Sequence, residues 1–246
     1  MNEDQIQDLD VHETVLRDMG PLVVPDPDWG DLKLRVFPFL HDGVTPIKLP
    51  RAFADYEETL RQIMAHIPVQ PDATQHFVTI DSQYFTQDGF QRREGVHMDG
   101  NFCADYAISP MATWGGGKGT WAGIVALSPV EMPDNSHVRV GFQIPYDIVI
   151  PVGKYVSGTL GGTIVASSQV GCQAWSGTFI GRVEEGGSWE NMLDQLGEPV
   201  VIEANRLYFM TSNCPHETLK LSAGTRRTFV RVTLAHNYDN TCLRQQ

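Results

Sequence analysis

The stretch RLYFMTSNCPHETLKLSAGTRRTFVRVTLAH, residues 206–236, reads as two short strands around a polar turn and a histidine. Leu207 to Met210 make an apolar run, a polar turn follows, then His216, and Gly224 supplies a second turn before the last strand. That strand carries Arg226, Arg227 and Arg231 among Val, Phe and Thr. Alternate side chains of an extended chain share a face. Arg227, Phe229, Arg231 and Thr233 therefore lie on one side, and Arg226, Thr228, Val230, Val232 and Leu234 on the other. The second set is greasy and suits packing beneath a helix. The first is polar and suits the inside of a site. Cations on a mostly apolar strand are expensive without partners. Either they meet an anion, or all three decorate an exposed edge.

Outward from this stretch, the text from residue 76 is one of short β-rich runs. HFVTIDSQYF, TWAGIVALS, HVRVGFQI, YDIVIPV, GTIVASSQV, TFIGRV, PVVIEA, RLYFMTS and RTFVRVTLAH are rich in Val, Ile, Thr and aromatics, with Gly, Pro, Asn and Asp between them. Strands at this spacing indicate an all-β sandwich or barrel. SWENMLDQL, residues 188–196, reads as a short helix within it. Upstream, RAFADYEETLRQIMAHI, residues 51–67, repeats Phe53, Tyr56, Leu60, Met64 and Ile67 at helical spacing, and Pro68 and Pro71 end it. LKLRVFPFL, residues 32–40, alternates as a strand does. Residues 1–20, with Ile6, Leu9, Leu16 and Met19, are expected to form a short helix. The reading divides the chain into an N-terminal helical or irregular segment, 1–75, bracing a β domain, 76–246.

The 246 residues suffice for one large core, and 41% hydrophobic with 20% charged residues is ordinary for a globular protein. A net charge of −12 opposes tight binding of nucleic acid through a broad basic face. No basic segment followed by an apolar run opens the chain, and no apolar run is long enough to span a membrane. Cys103, Cys172, Cys214 and Cys242 form no C-x-x-C pair, so reduced thiols and a cytoplasmic setting are expected. Cys214, two residues before His216, reads as a small buried thiol, with metal ligation the alternative. GGGKG at 115–119 lacks the spacing of a phosphate-binding loop.

The chemistry-bearing residues begin at GVHMDGNF, residues 95–102. On a strand His97 and Asp99 share a face, and an imidazole beside a carboxylate suits a borderline divalent metal. H-x-D alone is a common accident. His216 adds a third candidate ligand. His12, His41 and His66 are expected at the surface. His76, His137 and His236 lie near strand ends, where they could line a pocket. Trp114, Trp121, Trp175 and Trp189 are expected in the core or a pocket wall.

Together, H-x-D on an early strand, a distant second His and a late Arg resemble the iron(II)- and 2-oxoglutarate-dependent oxygenases, over roughly residues 76–236. GTLGGTIVA, residues 158–166, also resembles the glycine-led strand those enzymes place between the ligands. The resemblance implies a mainly β fold with flanking helices, a double-stranded β-helix or jelly-roll barrel. It implies a facial triad of His97, Asp99 and His216 holding Fe(II), with 2-oxoglutarate and O2 as cosubstrates. It also implies hydroxylation of a C–H bond of a small-molecule or peptidyl substrate, with release of succinate and CO2. The far carboxylate of 2-oxoglutarate falls to Arg227, eleven residues after His216, if the polar face points inward, and to Arg226 if the greasy face does. Arg231 assists or meets a substrate anion, as in taurine-dioxygenase-like members. Tyr84, followed by Gly89 and H-x-D, matches a cosubstrate-contacting tyrosine of prolyl-hydroxylase-like members, or is a core tyrosine. Residues 108–121 correspond to a substrate lid. Two alternatives stand beside this reading: a cupin-like metal enzyme that does not use 2-oxoglutarate, and a non-enzymatic jelly-roll binding module.

Overall fold

The structure, a computed structural model, describes residues 10–26, 32–72, 75–98, 161–181, 183, 187–235 and 238–244, and the backbone of five two-residue strands between positions 125 and 156. Asp99, Cys103, the region 108–121 with Trp114 and Trp121, the run 146–152 and His236 lie outside the described residues.

In chain order the strands are β1 (Asp10–Thr14), β2 (Leu16–Pro21), β3 (Leu32–Leu40), β4 (Gln75–Tyr84), the short β5 (Val125–Ala126), β6 (Val130–Glu131), β7 (His137–Val138), β8 (Gly141–Phe142) and β9 (Tyr155–Val156), then β10 (Thr163–Ser167), β11 (Cys172–Ala174), β12 (Gly177–Gly181), β13 (Val200–Val201), β14 (Arg206–Met210), β15 (His216–Thr218) and β16 (Arg226–Thr233). A 3-10 turn, Arg51–Tyr56, runs into helix α1, Glu57–Met64, a second 3-10 turn spans Glu190–Gln195, and α2 is Thr241–Arg244. The protein is mainly β with few helices, as the spacing of its apolar runs requires.

Six strands form the larger sheet, in the order β2-β14-β10-β16-β4-β3, with every neighbour antiparallel. A smaller sheet has the order β13-β11-β15. Single bridges extend it, since His97 pairs with His216 of β15 on one side and with Ser188 on the other. A third sheet, β12-β1-β9, lies apart in the pairing.

The two faces of the larger sheet are packed differently. On the outer face Val78, Ile80, Ile164, Ala166, Leu207, Phe209, Val230, Val232 and Leu234 join Phe53, Tyr56, Leu60, Ile63, Met64 and Ile67 in one core. The greasy side of β16 thus lies beneath the predicted helical segment. On the inner face Val165, Tyr208, Met210 and Phe229 pack with Cys172 and Ala174 of β11. The polar side of β16 therefore looks into the space between the two sheets. A third cluster, with Met98, Trp175, Phe179, Trp189 and Met192, covers the far side of the smaller sheet.

The N-terminal expectation needs correction. Residues 10–21 are strands, not a helix: β1 pairs with β12, and β2 pairs with β14. Val11, Thr14 and Val15 are β-branched, and each of these strands finds a partner whose ladder supplies backbone hydrogen bonds that a short isolated helix cannot match. Likewise β2 and β3 form the two edges of the larger sheet. The N-terminal segment is thus part of the sheets as well as their brace. His12, expected at the surface, is buried beside the Trp189 ring, with centroids 5.3 Å apart, and its Nε2 lies 3.2 Å from the Gly181 carbonyl.

Candidate active site

His97 and His216 stand directly opposite each other across an antiparallel register. His97 N–H donates to His216 O and His216 N–H to His97 O, both at 2.9 Å. Opposed residues of such a pair present their side chains on one face. The two rings are accordingly 4.7 Å apart between centroids, tilted at 55°. Each ring is also oriented from behind. His97 Nδ1 lies 2.7 Å from Gly95 O, and His216 Nδ1 lies 3.0 Å from Cys214 O. A carbonyl can only accept, so each Nδ1 carries a proton, and in the neutral form of either ring Nε2 is the nitrogen that can bind a metal. Metal-binding histidines are fixed in this way. Two imidazoles bound at right angles through nitrogens about 2.1 Å from one ion would have centres roughly 4.5 Å apart, close to what is seen.

The strands are held from both flanks. Ala174 lies opposite His216 on β11, and Ser188 lies opposite His97. These four residues form one row, and Ala174 belongs to the core between the sheets. The imidazoles thus share the side that faces β16, while Met98 and Trp175, each next in sequence to a member of the row, pack on the far side. Gly187 lets the 187–189 segment come close: at φ +77°, a Cβ there would sit 2.5 Å from the Met98 carbonyl oxygen. The turn before His216 is tied to the N-terminal strands. Val15 N–H donates to Thr211 Oγ1, Thr211 N–H to Val15 O, and Asn213 Nδ2 to Glu13 O. Cys214 is buried with its thiol 3.3 Å from Trp175 O, and burial pushes its pKa well up, which keeps it a neutral thiol.

Across the gap, β16 offers two buried guanidiniums. Arg227 is 1% exposed and Arg231 4% exposed. Arg227 Nε donates to Ser167 Oγ at 2.8 Å and to Gln169 O at 3.3 Å, and its NH1 donates to Gln91 Oε1 at 2.6 Å. All these acceptors are neutral. The ring of Phe229 lies 5.2 Å from its Cζ. Burial lowers the Arg227 pKa to about 10, opposed in part by Cys172 and Asp81, so the group stays charged at neutral pH. Asp81 itself is buried opposite Phe229 and has Arg92 at 3.8 Å. Gly171 abuts Arg227 and precedes Cys172, which pairs with Thr218, two residues along from the His216 row. Two residues of strand are about 7 Å.

The predicted residues thus divide. His97, His216, Arg227 and Arg231 face one interior. Arg226 and Tyr84 do not: they pair on the opposite face of β16 and β4, where the Arg226 guanidinium lies 5.6 Å from the Tyr84 ring and Tyr84 is 47% exposed. Strand alternation sends them there, one residue out of phase with Arg227. Among the described residues no three His, Cys, Asp or Glu side chains form a metal-binding group. Asp99, the carboxylate of the expected triad, lies outside them. His76 is no pocket residue. It is fully buried among Phe39, His41 and Tyr238, and its Nδ1 accepts from Ala235 N–H. Trp175 and Trp189 are buried, His41 is half-buried and His66 is exposed. The sequence carries little sign of the cradle that Gln91, Ser167 and Gly171 form around Arg227. Ser167 closes a strand otherwise rich in apolar residues, which is a weak signal, and Gln91 gives none.

Comparison with protein-family models, with curated proteins and with solved structures finds no match to this chain.

Proposed function

We propose that the chain is an iron(II)- and 2-oxoglutarate-dependent oxygenase. The observation that carries this reading is the facing of two groups across one interior. On the smaller sheet stand two facing imidazoles whose Nδ1 atoms are tied to backbone carbonyls, so that Nε2 is the nitrogen each neutral ring would use as a ligand. On the larger sheet a buried guanidinium has, among the described residues, neutral hydrogen-bond acceptors alone. The first suits a divalent cation, and the second suits a carboxylate. A ligand carrying both a chelating end and a distant carboxylate satisfies both at once.

The strand pairings support a double-stranded β-helix. Leave aside β5 to β9 and β12, which pair elsewhere, and number β4, the 96–98 segment, β10, β11, β13, β14, β15 and β16 in chain order. The first pairs with the last (β4 with β16), the second with the seventh (His97 with His216), the third with the sixth (β10 with β14) and the fourth with the fifth (β11 with β13). A long antiparallel ribbon rolled on itself gives this pairing, and it is the plan of a jelly roll.

In this reading His97, His216 and, from its place in H-x-D, Asp99 hold Fe(II), which when bound supplies activation of dioxygen for oxidation of a C–H bond. Arg227 binds the far carboxylate of 2-oxoglutarate and orients its keto acid end toward the histidines. Phe229, Val165 and Met210 keep the space between the sheets apolar, which strengthens the ion pair and limits water. Products are succinate, CO2 and a hydroxylated small-molecule or peptidyl substrate. No helix among the described residues is long and apolar enough to cross a membrane.

Anaerobic addition of Fe(II) and then 2-oxoglutarate tests the reading. A visible charge-transfer band, and iron-dependent succinate release on admitting air, are expected. Absence of both in folded, iron-loaded protein would sink the assignment.

A further inference from the structure

Arginine is long and flexible, and a buried guanidinium points where its contacts hold it. Arg227 is held at three places. Ser167 Oγ takes its Nε and Gln91 Oε1 takes NH1. Gly171 forms the wall: a Cβ there would lie 2.6 Å from Nε, 2.8 Å from Cζ and 3.0 Å from Cδ. Gly171 has no positive φ, so what requires glycine there is the guanidinium packed against it.

Gln91 is the most constrained member. It is 7% exposed, and its Nε2 donates to Asp81 O at 2.9 Å and to Arg227 O at 3.2 Å. Two carbonyls on the nitrogen side fix the amide orientation, because the flipped amide would turn oxygen against oxygen. The oxygen is thereby committed to Arg227 NH1. The contact also joins two parts of the interior. Gln91 lies on the 85–98 loop that leaves β4 and ends at His97, and this loop is laced to 216–225 by paired backbone bonds between Gly89 and Leu221 and between His97 and His216.

We infer that Gln91 is a positioning residue that sets how far the Arg227 guanidinium reaches into the space between the sheets, and so selects the length of the 2-oxo diacid bound there. This rests on the oxygenase reading. With Gln91 in place the guanidinium is stopped at one depth, which the oxygenase reading assigns to a five-carbon diacid. Without it, Arg227 can withdraw into the space the amide leaves, and a six-carbon diacid fits better. Gly171 acts from the other side, because a larger residue there would push the guanidinium off its seat.

Equilibrium binding of 2-oxoglutarate and 2-oxoadipate to Fe(II)-loaded protein, measured anaerobically by calorimetry without turnover, tests this. In the unaltered protein 2-oxoglutarate is expected to bind more tightly. In Gln91→Ala its affinity should fall about tenfold while that for 2-oxoadipate holds or improves, so the preference shrinks or inverts. Gly171→Ala should weaken both diacids with Fe(II) affinity unchanged. An equal loss for both diacids in Gln91→Ala, or an unchanged preference, would overturn the inference, since a merely structural amide affects both alike. If Gln91→Ala fails to fold, Gln91→Met keeps the volume without the acceptor and must show the same change in preference. Binding of neither diacid to the unaltered, iron-loaded protein would overturn the oxygenase reading and this inference with it. Binding of 2-oxoglutarate with unaltered selectivity in the variants overturns the inference alone.

Discussion

The two faces of the larger sheet use one strand, β16, for opposite ends. On the outer face Val230 and Val232 disappear into a core shared with α1, Thr228 is fully buried beside them, and only Arg226, at the start of the strand, stays half-buried. Thr228 Oγ1 donates to Asp26 Oδ1 at 2.7 Å and lies 3.0 Å from Ser82 Oγ, whose hydroxyl can donate to it. On the inner face Arg227 and Arg231 are buried with Phe229 between them. A stable protein needs only the first kind of face. Burying the Arg227 guanidinium against neutral hydrogen-bond acceptors opposes stability unless an anion comes to it, and in the proposed reading the second kind of face serves function. Adjacent residues of one strand therefore differ in purpose because the pleat sends them to different solvents.

This contrast can be broken at several points. The largest effect should follow loss of the histidine row. His97→Ala or His216→Ala, and Asp99→Ala, should abolish iron-dependent succinate formation while circular dichroism stays that of a β protein. Substantial activity in any one of them would remove that residue from the metal site. Next, the outer face should govern stability alone. Ile80→Ala, at a fully buried position, is expected to lower unfolding free energy by about 2–5 kcal/mol. Urea titration measures this, and the affinity of the surviving folded protein for 2-oxoglutarate should be unchanged.

The inner face should show the reverse. Arg227→Ala should weaken 2-oxoglutarate binding by roughly 10- to 100-fold, since charged hydrogen bonds contribute about 1.5–3 kcal/mol. Arg226→Ala, one residue away, should change it little. Anaerobic titration of both variants decides between them, and weakened binding only in Arg226→Ala would mean the faces act the other way round.

A pH effect sharpens the comparison from outside the site. Burial, with His41 nearby, depresses the His76 pKa from 6.5 to about 4. The folded state thus refuses a proton that the unfolded chain accepts, so stability is complete above the unfolded value and falls as pH drops from about 6.5 toward 4. The loss should be about 2 kcal/mol between pH 7.5 and pH 5. Urea titrations at the two pH values should show it, and His76→Gln, which retains a hydrogen-bond acceptor, should flatten it. An unchanged slope in that variant would assign the pH dependence to other groups. The smallest effect concerns the thiols. Denatured, unreduced protein should give a count of four reactive cysteines, with Cys214 slowest in the native state, because its thiol is buried and its pKa raised.

Much of this was legible from spacing alone. The alternation of Arg227, Phe229 and Arg231 against Val230 and Val232 predicted which face of β16 would turn to the helix, because a strand has one period and one pleat. The apolar stripe from Phe53 to Ile67 marked the covering helix for the same kind of reason. Local periodicity carries such information because it is set by backbone geometry. What it could not say is which strands would be neighbours. Residues 10–21 looked helical from their apolar spacing and became strands because β12 and β14 offered ladders. Tyr84 looked like a cosubstrate contact by its distance from His97, yet its register opposite Arg226 turned it outward. Gln91 and Gly171 carry no pattern at all. Their meaning comes from Arg227, which approaches them across 136 and 56 residues of chain, a contact between distant segments that only the assembled sheets bring about.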